Sequence, residues 1–66
     1  MRVTLNGEAK ELANGITVGD LIVALELTKR RIAVEINREL VPRDAFAERM
    51  LDEGDVIEIV HFIGGG

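Results

Sequence analysis

Cysteine, tryptophan and tyrosine are absent from this chain, proline and histidine occur once each, and phenylalanine occurs twice. Each gap excludes a class of solution. Without cysteine no disulfide can staple the fold, and one histidine cannot build a Cys/His zinc site. No thiolate is available as a nucleophile or as a holder of sulfur. Long apolar runs are missing too, for nothing approaches the roughly 18 residues of a membrane span. The longest apolar stretches are residues 21–25 and, with His61 admitted, residues 59–63. The first five residues alternate instead of forming the apolar segment of a signal peptide. With no cysteine to mark an oxidising compartment, the expected location is the cytoplasm.

What is present is 66 residues with 47% apolar content, chiefly Val, Ile, Leu and Ala. A chain of this size buries about 60% of its unfolded surface, enough for one small core. Its stability has to come from regular, aliphatic structure. An enclosed enzyme pocket of ~300 Å³ or more would consume most of that core, which weighs against a self-contained enzyme. The net charge of −4 is unevenly spread. Residues 1–33 carry five basic and four acidic side chains, and residues 34–66 carry three basic and eight acidic. An acidic C-terminal half disfavours nucleic acid as a partner and favours either a positive docking surface or plain solubility.

Met1, Val3 and Leu5 alternate with Arg2, Thr4 and Asn6, the signature of a strand with one buried face. Asn6-Gly7 follows as a hairpin signal, and residues 8–12 read as a charged return strand suited to a sheet edge. Asn14-Gly15 marks a second turn. Thr17 is a helix N-cap with Asp20 in the capping-box position, and Ile16 and Leu21 form a hydrophobic staple. Val18, Leu21, Ile22 and Leu25 line one helical face. Gly19 is expected to permit close packing on the sheet, and Lys29-Arg30-Arg31 are expected at the far end of the helix, where cations complement its dipole.

Ile32, Val34 and Ile36 alternate as a third strand, Asn37-Arg38 turns the chain, and residues 39–41 form a short fourth strand that Pro42 ends. Residues 43–47 are expected as one helical turn anchored by Phe46, with Met50 and Leu51 as apolar cover. Residues 52–55 read as a solvated turn without the ligand spacing of a calcium loop. Residues 56–63 are apolar on both faces, which marks a central strand. Hairpin, helix, hairpin and a central last strand leave one economical arrangement: an α+β fold of the β-grasp, ubiquitin-like kind. It is a mixed four- to five-stranded sheet with one main helix across one face. The domain is expected to cover residues 1–63, with residues 64–66 as a flexible glycine tail.

Glycine at the last three positions, directly after a core strand, is the most informative feature. Three extended residues reach about 10 Å beyond a sheet. A backbone without Cβ atoms suits a narrow channel in a partner enzyme, and the terminal carboxylate then meets the α-phosphate of ATP. The competing account is a frayed end or an expression scar.

Three segments resemble the ThiS family, the sulfur carriers of thiamine biosynthesis. They are Ala33 with the following residues through Pro42-Arg43, the Gly54-Asp55 turn with the strand after it, and the terminal Gly65-Gly66. Gly64 extends the diglycine by one residue. The resemblance implies that Gly66 is adenylated by a ubiquitin-activating-like adenylyltransferase, which consumes ATP. It implies that a cysteine-derived sulfur donor converts Gly66 to a thiocarboxylate, and that thiazole synthase takes the sulfur. The chain is then a protein co-substrate and not an enzyme, and it binds no cofactor of its own. Phe62, Ile63, Gly64 and Gly65 are the candidate partner-binding residues. A monomer is expected, with neither nucleic acid nor membrane as a partner.

His61 is more economically a strand residue with a polar tip than a general base, because no partner group is evident. Val56, Val60, Phe62 and Ile63 lie either in an exposed patch or beneath residues 43–51; Phe62 and Ile63 flank the tail and are assigned to partner contact. The alternatives are the small subunit of molybdopterin synthase, a lysine-conjugated protein modifier and a passive β-grasp binding module.

Overall fold

The computed structural model describes residues 1–62; Ile63, Gly64, Gly65 and Gly66 lie outside the described residues. The chain order is β1 (Arg2–Leu5), β2 (Glu8–Glu11), α1 (Val18–Ala24), β3 (Ile32–Ile36), β4 (Glu39–Val41), a single 3-10 turn (Arg43–Ala45) and β5 (Val56–His61). The five strands form one mixed sheet in the order β2-β1-β5-β3-β4. β5 runs parallel to β1 and antiparallel to β3, so the last strand lies in the middle. This is the β-grasp architecture expected from the sequence, with five strands. No helix among the described residues is long and apolar enough to cross a membrane.

The core is aliphatic. Val3, Val34, Ile36 and Ile57 on the inner sheet face meet Val18, Leu21 and Ile22 from the helix, with Leu51 closing one side. Within β3 and β5, alternate residues are buried, the period of two that a one-sided sheet requires. The charged strand β2 is an edge and is exposed at all four positions. Its Arg2–Glu11 ion pair to β1 is solvent-bathed and contributes little.

Helix α1 begins where its capping box places it. The Asp20 backbone N–H donates to Thr17 Oγ1 at 3.1 Å, and the Thr17 N–H donates to Asp20 Oδ2 at 2.9 Å. Its end departs from expectation. The helix stops at Ala24 with no basic residue in its last turn, so Lys29, Arg30 and Arg31 do not cap its dipole. The stop is a Schellman turn: Glu26 N–H donates to the Val23 carbonyl and Leu27 N–H to the Ile22 carbonyl. Glu26 takes the left-handed position, at φ 60°, that glycine usually fills.

Gly19 also differs from expectation, for it packs against the loop before β5 and not against the sheet. Its N–H donates to the Phe46 carbonyl at 2.8 Å, and a Cβ there would lie 3.4 Å from that oxygen. Residues 43–51 therefore lie along the start of α1, where Val18 N–H also reaches the Arg49 carbonyl. Leu51 is buried, but Met50 is exposed and forms only a bridge to Thr17, so it does not serve as cover.

Candidate partner-docking site

The carboxyl-terminal strand is the element that carries the candidate site, and its neighbours hold it from both sides. On the β1 side, Asn6 extends the ladder: its N–H donates to the Ile57 carbonyl, and its Oδ1 accepts the Ile59 N–H at 2.8 Å. On the β3 side, Asn37 N–H donates to the Val56 carbonyl, and Asn37 Oδ1 accepts the Val56 N–H. Both asparagines occupy the left-handed region, at φ 49° and 53°, where a short amide side chain is tolerated. Each turn residue thus doubles as a clamp on β5.

Asp55 completes the Asn37 clamp. Its Oδ1 accepts Asn37 Nδ2 at 3.0 Å and its Oδ2 accepts the Asp52 N–H at 2.8 Å. Residues 52–54 are the exposed turn expected from their charge, but Asp55 is buried and departs from it. Asp55 ties the β3–β4 turn to the entry of β5. Among the described residues no acidic and histidine side chains gather into a metal cluster.

The outer face of the sheet, turned away from α1, is uncovered. Val56, Val60 and Phe62 are exposed, at 47%, 55% and 56%, while Ile57 and Ile59 between them are buried. β5 is therefore central in the sheet yet covered on one face only, and of the two alternatives left open for Val56, Val60 and Phe62 the exposed patch is the one observed. Residues 43–51 do not shield this strip. Leu40 on β4 adds a fourth exposed apolar side chain. In register, Val60 pairs with Ala33, Glu58 with Glu35, and Glu35 with Leu40. Two like charges therefore face one another across strands in the middle of the apolar strip, an arrangement that costs about 0.2–1 kcal/mol.

The strip ends at Phe62, the last described residue. Phe62 N–H donates to the Arg31 carbonyl at 2.9 Å, one residue past the end of β5, and its side chain is exposed. Ile63, Gly64 and Gly65, the other candidate contact residues, and Gly66, the candidate modified residue, lie outside the described residues. His61 is exposed at the strand end. The sequence did not single out Glu35, Glu58 and Leu40. Their alternation with buried neighbours hints at the outer face, but only the strand register brings them to Val60 and Phe62.

The ThiS family model matches residues 3–66. The chain belongs to the ThiS family. It is 33% identical to the sulfur carrier protein ThiS of Escherichia coli over 66 residues, covering all of both chains. It is 41% identical to a thiazole synthase of Paramagnetospirillum magneticum over its whole length, but that alignment spans 20% of the relative. A thiazole synthase of Magnetococcus marinus is matched in the same proportion, so the chain spans about a fifth of the length of these two enzymes. Among solved structures, the ThiS thiamine biosynthesis protein of Geobacter metallireducens superposes with a TM-score of 0.85 at 33% identity, with full coverage of both chains. The family expected from three short segments and the fold expected from the order of elements are thus those of the whole chain.

Proposed function

We propose that this ThiS-family chain is a sulfur carrier of thiamine biosynthesis, with the carboxyl group of Gly66 as its reactive handle. The observation that carries this reading is the family match, which runs through the terminal glycines. Its support in the fold is the exposed apolar strip of β5, which leads directly in sequence to those glycines.

The chemistry follows from what the chain has and lacks. The Gly66 carboxylate attacks the α-phosphorus of ATP on an adenylyltransferase, pyrophosphate leaves, and an acyl-adenylate forms. With no cysteine in the chain, the sulfur nucleophile must come from elsewhere. A persulfide on a donor protein attacks the acyl carbon and AMP leaves. A thiol then cleaves the sulfur–sulfur bond, leaving a thiocarboxylate on Gly66 and a disulfide on the donor side. Thiazole synthase takes that sulfur into the thiazole ring. The chain supplies no catalytic group and no bound cofactor; it is the co-substrate of enzymes that recognise its surface.

That recognition falls to Val60, Phe62 and Leu40 with Glu35 and Glu58 among them, followed by Ile63, Gly64 and Gly65 entering the partner's channel. An apolar strip interrupted by paired carboxylates suits a partner face with apolar sockets and basic residues between them. A cation bound between Glu35 and Glu58 relieves their like-charge cost. The thiazole synthase names of two relatives favour the thiazole branch over molybdopterin synthesis. The test is genetic. The gene should restore growth without thiamine to a strain lacking its own carrier, and deletion of the Gly66 codon should abolish the rescue. Rescue of a molybdenum-cofactor mutant, with no rescue of the thiamine mutant, would overturn the proposal.

A further inference from the structure

A groove lies on the helix side of the sheet, opposite the strip assigned to partners. It is an open groove of about 310 Å³ between α1, the loop after it and the 3-10 turn. That volume is at the lower end of the range for small-ligand pockets, about 300–1,000 Å³. Its walls are Ile22, Val23, Leu27 and Phe46. Val23 is 63% exposed, and Leu27 and Phe46 are only half-buried, so the apolar lining is in contact with water. Leu27 is brought there by the Schellman turn that ends α1 early.

The rim is charged, with Arg30 and Arg43 bordering the groove together with Asp44, and Arg30 belongs to the basic run that the early end of α1 leaves without a role at the helix dipole. Neither arginine is in a salt bridge among the described residues, where the one ion pair is Arg2–Glu11. An apolar cleft whose lining includes two arginines and one aspartate has a net positive lining, which matches a molecule with an apolar body and a negative head.

We propose that this groove binds a small amphipathic anion, a short alkyl or aryl body bearing a carboxylate or a phosphate. The body replaces water against Val23, Leu27 and Phe46, and the head lies between Arg30 and Arg43. Because the groove and the outer strip are on opposite faces of the sheet, such a ligand can be held while a partner occupies the strip. The site is independent of the sulfur chemistry.

The test is a titration of the full-length, isotope-labelled protein, followed by amide NMR shifts, with octanoate, octyl phosphate, octanol and inorganic phosphate as separate probes. Saturable shifts are expected at Val23, Leu27, Arg30 and Ala47 for one or both amphipathic anions, and which of the two binds more tightly identifies the head group. Octanol and inorganic phosphate should each bind more weakly by about tenfold, and so should octanoate to R30E or R43E, the loss expected for one charge-assisted contact. V23D, at an exposed wall position, should block binding without unfolding the chain. Equal binding of octanol and octanoate would overturn the proposal, as would shifts confined to Val60 and Phe62 or insensitivity to R30E and R43E. Tighter octanoate binding after truncation at Phe62 would mean that the chain's own end is the occupant, which also overturns it. No adenylation or thiocarboxylate step enters this measurement, so it fails or succeeds separately from the carrier function.

Discussion

Glu26 and Arg38 hold backbone conformations, at φ 60° and 72°, that glycine adopts without cost. For an L-residue the left-handed region costs about 1–2 kcal/mol. Glu26→Gly and Arg38→Gly are therefore each expected to raise stability by about 0.5–1 kcal/mol, with part of the gain cancelled by a more flexible unfolded chain. In a domain this small that is a rise of about 2–8 °C in Tm, measurable by thermal denaturation. Asn37 is the opposite case, because there the side chain matters. Asn37→Ala loses both the left-handed tolerance and the bonds to Asp55 and Val56, whereas Asn37→Gly loses the bonds alone. Urea unfolding should show the glycine variant destabilised by about 1–3 kcal/mol and the alanine variant by about 1 kcal/mol more. Equal losses would mean that backbone strain at Asn37 is negligible.

The elements show where the chain was legible and where it was not. The start of α1 was readable because Thr17 and Asp20 are a local, reciprocal pair. Its end was not, because the stop residue is a glutamate, and the misplaced end carried Lys29, Arg30 and Arg31 with it. The strands were readable from alternation. β5 was rightly placed in the centre, but whether its second apolar face was covered or exposed stayed open, since apolar residues facing a partner look the same in sequence as residues facing a core. That ambiguity concerns function. The Glu35–Glu58 pairing depends on register between strands more than twenty residues apart, which no local pattern encodes. Replacing Glu35 by threonine should stabilise the domain by about 0.2–1 kcal/mol by removing the repulsion. The same change should slow association with the adenylyltransferase at low salt and less so at high salt, as stopped-flow measurement would show. Phe62→Asp, at an exposed position, should shift unfolding by no more than about 0.5 kcal/mol while weakening partner binding by tenfold or more, about 1.4 kcal/mol, in calorimetric titration.

At the scale of the molecule, a 66-residue domain has about 3–10 kcal/mol of total stability. Ile57→Ala, at a fully buried position in the central strand, should cost about 2–5 kcal/mol and leave the chain largely unfolded at the upper end of that range. On the proposed function, a core this small leaves the reactive chemistry to the partners and Gly66 is where that chemistry is placed. The most direct test is the intact mass of the protein after incubation with an adenylyltransferase, ATP and a persulfide donor, with the end group located by fragmentation. The account predicts the exchange of one oxygen for one sulfur, confined to Gly66 and absent when Gly66 is deleted. Sulfur found on any other residue, or an unchanged mass with a partner that loads other carriers of the family, would contradict it.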